Sequence, residues 1–202
     1  SISVDTKNID DLILKERAKK MAYFAQGAPI YWPLTVENIV GLGRVPHLNQ
    51  WQKISEDDEK IIESAMEKTN CISLKGRLVT SLSGGERARV LLARALATRA
   101  PYIMADEPIA SLDPAHQLQV MEILKKLSKN NNGVMVVMHD LSLALRYCDR
   151  LILLDSGKLI GQDTPDIILS DDKLASVFGI RASRWTDSGE DFLITHQVNE
   201  ET

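Results

Sequence analysis

The segment Leu82-Ser83-Gly84-Gly85-Glu86-Arg87-Ala88-Arg89-Val90 places a serine and two glycines directly before a run of helix-forming residues. That order supplies a hydroxyl, unshielded backbone N–H groups and the positive end of a helix, all suited to holding a phosphate. Further on, Tyr102-Ile103-Met104-Ala105-Asp106-Glu107-Pro108 is an apolar strand that ends in two carboxylates. An aspartate at the C-terminal end of a strand can hold Mg²⁺ through its water shell. The adjacent glutamate points to the other side of the strand, where it can polarise a water for attack on a phosphate. Ser111-Leu112-Asp113 follows, and beyond the next helical stretch the strand Val134–Met138 runs into His139-Asp140, where an imidazole can reach a terminal phosphate. Upstream, Tyr23-Phe24-Ala25-Gln26 ends another strand in an amide able to touch metal or water. Each piece alone has an ordinary structural reading: a serine N-cap, an acidic surface turn, a satisfied histidine. In this order and spacing they form one constellation for phosphate chemistry.

The elements that must position these residues follow from periodicity. Short apolar runs over Met21–Ala25, Tyr102–Ala105, Val134–Met138 and Leu151–Leu154 are expected strands. Helical patterns lie between the later ones, which predicts an α/β unit with a parallel sheet. Gly84–Arg99 has apolar positions nearly all round and should be a largely buried helix. Asp113-Pro114 reads as an N-cap followed by proline at the first helical position, with Leu118, Met121, Leu124 and Leu127 at near-helical spacing and Asn130 to Gly133 as the stop. Ser55-Glu56-Asp57-Asp58 has capping-box character, and Ile61, Ile62, Ala65 and Met66 mark one narrow apolar face. That helix is expected in a helical sub-domain over residues 40–100. Leu151 to Gly161 reads as a hairpin turning at Asp155-Ser156-Gly157. Thr164-Pro165 should open a short helix and Gly179 close the next, with one more hairpin in the last twenty residues.

Composition narrows the function classes. The 202 residues, 44% hydrophobic and 26% charged, suit one globular domain with a sub-domain. With 24 Lys plus Arg against 28 Asp plus Glu, the net charge of −4 argues against broad electrostatic binding to nucleic acid or anionic lipid. Cys71 and Cys148 are far apart and in no metal-ligand spacing, which disfavours a disulfide scaffold or zinc site and fits a reducing compartment. The apolar runs fall far short of the ~18 residues of a membrane span. The first twenty residues are charged and broken, unlike a signal peptide.

The whole constellation resembles the nucleotide-binding subunit of an ABC (ATP-binding cassette) transporter, from Met21 to the C-terminal hairpin. LSGGERARV at 82–90 is similar to the family's signature motif, YIMADEP at 102–108 to its Walker B strand and catalytic glutamate, and SLD at 111–113 to its D-loop. His139 resembles the switch histidine and Gln26 the Q-loop glutamine. Trp32-Pro33-Leu34-Thr35-Val36 and Leu42-Gly43-Arg44-Val45-Pro46-His47 are similar to importers of iron-siderophore complexes, haem or cobalamin. The resemblance implies an α/β fold with a P-loop ATPase-type parallel sheet core, an inserted helical sub-domain and a C-terminal β-hairpin. It implies ATP and Mg²⁺ as cofactors, with Glu107 as general base, Asp106 and Gln26 toward the metal, and His139 toward the γ-phosphate. Ser83, Gly84 and Gly85, with Asp113 nearby, would hold the γ-phosphate of a nucleotide on a second copy of the subunit. The implied partners are that second copy, an integral membrane permease and, indirectly, a substrate-binding protein, with no nucleic acid. The implied location is peripheral, on the cytoplasmic face of the plasma (inner) membrane.

One departure stands out. No G-x-x-x-x-G-K-[ST] occurs: the single Gly-Lys pair, Gly157-Lys158, is followed by Leu159 in an expected hairpin turn. Ile2–Asp5 resembles the strand that follows the P-loop helix, so the chain is expected to be a cassette incomplete at its N-terminus, lacking also some sheet strands and a buried helix, either as part of a longer ATPase or as a natural short protein that lost its P-loop. Such a chain is expected to be inactive alone. A non-transport ABC ATPase is a second reading, although only 56 positions separate Gln26 from Ser83, leaving no room for the long coiled coils of chromosome-type members. A third is a catalytically dead partner that lends its Ser83 loop to a competent cassette.

Overall fold

The computed structural model describes residues 2–25, 31–110, 112–130 and 132–197. The chain packs as two compact units that divide between residues 137 and 138.

The first unit opens with a small antiparallel hairpin, β1 (Ser3–Val4) and β2 (Lys7–Asn8), then α1 (Leu14–Lys20) and β3 (Met21–Phe24). Three helices follow: α2 (Val36–Gly41), α3 (Glu56–Lys68) and α4 (Gly84–Ala97), with a 3-10 segment over Leu42–His47 after α2. The unit closes with β4 (Tyr102–Asp106), α5 (Pro114–Lys129) and β5 (Gly133–Val137). The expected strands are present with shifted ends: β4 takes in Asp106, and β5 starts at Gly133 and stops before Met138.

β3, β4 and β5 form a parallel sheet in that order, with Met21 beside Tyr102 and Tyr102 beside Gly133. Side chains alternate between faces. Ala22, Phe24, Ile103 and Ala105 are buried on one face, where α4 packs against β3. The opposite face shows Tyr23, Met135 and Val137 to solvent, each about half exposed. Parallel sheets are usually covered on both sides, so this bare face is unusual. In α5 the buried stripe is Val120, Met121 and Leu124, whereas Leu118 is exposed. At ~100° per residue Leu118 sits roughly 120° round from the centre of that stripe.

Val36, Ile39 and Val40 of α2, Ile62, Ala65 and Met66 of α3 and Val90, Ala93 and Ala97 of α4 share one core. A buried ion pair crosses its edge: Arg44 Nε donates to Asp58 Oδ1 at 2.8 Å, and Arg44 Nη1 donates to the Ala97 carbonyl at 2.7 Å. The other oxygen of Asp58 accepts from Ser55 N (3.1 Å) and Ser55 Oγ (2.7 Å), completing the capping box of α3. Asp58 therefore joins the start of α3 to the end of α4. Gly43 makes the close approach possible, since a Cβ there would lie 2.3 Å from the Arg94 carbonyl oxygen.

The second unit contains α6 (Leu141–Tyr147), the hairpin β6 (Leu151–Asp155) and β7 (Lys158–Asp163), and short turns α7 (Pro165–Ile168) and α8 (Asp171–Lys173). It ends in a long hairpin, β8 (Ile180–Asp187) and β9 (Glu190–Gln197). Both expected hairpins are present, the first turning through left-handed Ser156 and Gly157, and Gly179 closes the preceding turn at φ 64°. Leu145, Leu169, Leu174 and Leu193 form its core. Arg146 pairs with Glu190 and lies over the Phe192 ring, which stacks on Trp185 at 5.5 Å.

The Arg44 guanidinium, then the Ser55 hydroxyl and backbone N–H, hold the Asp58 carboxyl at about 2, below its ordinary 3.8. A depressed folded value means the stabilisation is present above about pH 4 and is lost as pH falls through about 2. Asp58→Asn should strand a buried guanidinium and cost about 3 kcal/mol or more, whereas Arg44→Met with Asp58→Leu should recover most of the loss. Urea unfolding at pH 7 and pH 2.5 checks both: the single variant's deficit should shrink at the lower pH.

Candidate functional site

Parallel register places the ends of β3, β4 and β5 on one edge of the sheet. Asp106 closes β4, and its Oδ2 accepts from the Tyr23 hydroxyl at 3.0 Å. This bond raises the Tyr23 phenol above its ordinary value and orients the carboxylate. Glu107, the next residue, has φ 44°, a left-handed conformation that is costly for a residue with a Cβ. Its N–H donates to the Val137 carbonyl at 2.9 Å, and its own carbonyl accepts from Ala110 N at 3.1 Å. The backbone is thus pinned on both sides, and Glu107 is one of the residues that line a cleft of about 390 Å³. Phe24, Ala25, Gly84, Arg87, Glu107 and Leu112 are among the residues lining it.

Gly84, from the motif before α4, thus borders the same cleft as Glu107, as does Ala25 at the end of β3. Ser83 is the N-cap of α4: its Oγ accepts from Glu86 N at 3.2 Å, and its N–H donates to Glu86 Oε2 at 2.8 Å. Glu86 is held below its ordinary carboxylate range, first by the Ser83 N–H and then by Arg77, whose Nη1 lies 2.9 Å from Oε1. Ser83 and Gly84 are solvent-exposed, and the first N–H groups of α4 have no intrahelical acceptor. A Cβ on Gly85 would lie 3.4 Å from the His116 ring, so the starts of α4 and α5 approach closely there. Asp113 caps α5, accepting from His116 N at 3.1 Å and pairing with its Nδ1 at 2.5 Å, and His116 lowers the Asp113 carboxyl.

Gln26 lies outside the described residues, as does Ser111 of the SLD triplet. His139 belongs to the second unit, one residue beyond Met138. Among the described residues no group of three or more His, Cys, Asp or Glu could hold a metal ion. The lone strand-end carboxylate Asp106 fits a cation that arrives on a nucleotide's phosphates and keeps most of its water, rather than a protein-caged ion. The sequence reasoning missed Tyr23, Arg77, His116 and Arg87, whose Nε is buried with no hydrogen-bond partner among the described residues. Ser-x-x-Glu at 83–86 was a legible capping-box signal for one of these networks. The other contacts join residues far apart in the chain.

A parallel α/β sheet with paired acids at the end of its middle strand, faced by a glycine-led helix start, defines a cassette-type nucleotide-binding fold. The chain belongs to the ABC transporter family, whose model matches residues 1–110. The petrobactin import ATP-binding protein FpuC of Bacillus anthracis is 34% identical over 199 residues, covering 98% of this chain and 73% of that protein. The hemin import ATP-binding protein HmuV of Pseudomonas entomophila is 39% identical over 171 residues, covering 82% of this chain and 66% of the relative. The cobalamin import ATP-binding protein BtuD of Halobacterium salinarum is 38% identical over 171 residues; the match takes in 84% of this chain but spans only 42% of that relative's length. A solved structure described as an inward-facing metal-chelate type ABC transporter superposes with TM-score 0.81 at 25% identity, over 90% of this chain and 73% of that one. A dimeric ATP-binding cassette in a post-hydrolysis state with ADP and Pi gives 0.69 at 26% identity, over 80% and 72%. No helix among the described residues is long and apolar enough to cross a membrane.

Removing the α4 cap tests the local geometry. Ser83→Ala should lower stability by about 1 kcal/mol and Ser83→Asn by much less, read as shifts in the urea midpoint at constant slope.

Proposed function

We propose that this chain is the ATP-binding part of an ABC importer, coupling ATP binding and hydrolysis to uptake through a membrane permease. The observation that carries the reading is the strand end Asp106-Glu107, its backbone pinned to Val137, together with the exposed, glycine-led start of α4 that is open to a partner copy. Names of the relatives support an iron-siderophore, haem or cobalamin cargo, and the short string Leu42 to His47 agrees with that class. The subunit works as a pair with a second copy of itself, peripheral on the cytoplasmic face of the membrane, with a substrate-binding protein delivering cargo to the permease.

In this reading Ser83, Gly84 and Gly85 hold the γ-phosphate of a nucleotide carried by the partner copy, through the serine hydroxyl and the free N–H groups of α4. Asp113 sits on the adjoining loop, tied to His116. Glu107 accepts the proton of the water that attacks γ-phosphorus, so that ADP and phosphate leave. Its backbone, pinned at both N–H and carbonyl, holds the residue in place between turnovers. Asp106 and Gln26 would hold Mg²⁺ through its water, and His139 would donate to the γ-phosphate. Bound there, the metal would supply charge neutralisation for the phosphates.

The chain contains no G-x-x-x-x-G-K-[ST], so on its own it should show no measurable ATP turnover. A version carrying a family P-loop segment ahead of Ile2 should hydrolyse ATP, and Glu107→Gln should then cut turnover by about 10²–10⁴-fold. A steady-state phosphate-release assay decides it. Robust turnover by the 202-residue chain, or full turnover in the Glu107→Gln version, would contradict the proposal.

A further inference from the structure

Arg77 serves two networks with different halves of itself. Its carbonyl accepts from Val36 N at 3.0 Å, inside a short antiparallel contact that includes Val79 N to the Leu34 carbonyl (3.0 Å) and a Thr35–Leu78 bridge. Glu37 extends that contact by accepting from Gly76 N at 2.8 Å. The Arg77 side chain reaches the other way. Nη1 donates to Glu86 Oε1 at 2.9 Å, and Nη2 donates to the Ser81 carbonyl at 3.3 Å. The second oxygen of Glu86 holds the Ser83 N–H. A continuous chain of hydrogen bonds therefore runs from Leu34–Val36 through Arg77 and Glu86 to Ser83.

The pair is a poor stabiliser, because its side chains are 44% and 24% exposed and exposed pairs contribute little to folding. Its geometry is nevertheless specific: two donors diverge to two acceptors, which a planar guanidinium satisfies and a single ammonium does not. Just upstream of Leu34, Tyr31 and Trp32 are 82% and 73% exposed, so the segment ends in aromatic rings that solvent or a protein surface can reach.

We propose that Arg77 is a positioning residue that ties the Ser83–Gly85 loop to the Leu34–Val36 segment, so that a displacement of that segment resets the phosphate-holding loop. The functional half rests on the phosphate reading given under Proposed function; the mechanical half does not. The Ser83 N–H reports directly, and its amide exchange is measured by NMR on the chain as it stands, without nucleotide. Arg77→Met should speed Ser83 exchange about two- to fivefold, the factor an exposed charge-assisted pair supplies, with Val90 and Leu92 unchanged. Arg77→Lys should restore less than half of the protection. Leu34→Ala should also speed Ser83 exchange, and this effect should vanish in the Arg77→Met background. Unchanged Ser83 exchange in Arg77→Met, or additive effects of the two substitutions, overturns the coupling. In the P-loop-bearing version, Arg77→Met should lower kcat about threefold or more with KM for ATP unchanged. An unaltered kcat there overturns the functional half even if the exchange results hold. Loss of all turnover in the unsubstituted version indicts the phosphate reading instead, and the exchange results then judge Arg77 alone.

Discussion

Parallel pairing of β3, β4 and β5 is the constraint on which the candidate site depends. Parallel strands share a direction, so residues that follow each strand emerge on one edge, however far apart they lie in the chain. Phe24-Ala25, Asp106-Glu107 and Val137 are gathered there by backbone hydrogen bonds alone. The Glu107 N–H bond to Val137 carries the ladder one residue past the formal end of β4. A register slip of one residue would turn Asp106 to the other face and undo that bond.

The same capping device is used twice for different ends. Ser55 and Asp58 close the start of α3, and Ser83 and Glu86 close the start of α4. In the first, the carboxylate is buried and its second partner is Arg44, so the box becomes a weld between two helices and a loop. In the second, the carboxylate is half-buried and its second partner is Arg77, which leaves the serine exposed and adjustable. Burial separates the two: the Asp58 pair is enclosed, and the Glu86 pair is open to solvent.

Much of this was legible in the residues. Alternation and turn chemistry located the strands and both C-terminal hairpins, and Asp113-Pro114 marked the start of α5. The strand-end acids and the Ser-Gly-Gly helix start were visible because their chemistry is local. The Arg44–Asp58 pair, the Tyr23–Asp106 bond and the Arg77 link were not, because each joins positions whose proximity only tertiary packing creates. Nor was the strain at Glu107: a left-handed φ at a glutamate has no compositional signal, unlike a glycine. The spacing of Leu118, Met121, Leu124 and Leu127 marked the helix but not which of them is buried, since near-helical spacing admits residues at the flank of a stripe as readily as at its centre.

The uncovered face of the sheet has a consequence of its own. Tyr23, Met135 and Val137 lie on one side of the sheet, where Asp106, held by the Tyr23 hydroxyl, is the charged side chain contributed by the same strands. Flat apolar surfaces attract one another without regard to partner. Such a face favours contact between intact molecules, which needs no loss of their internal bonds.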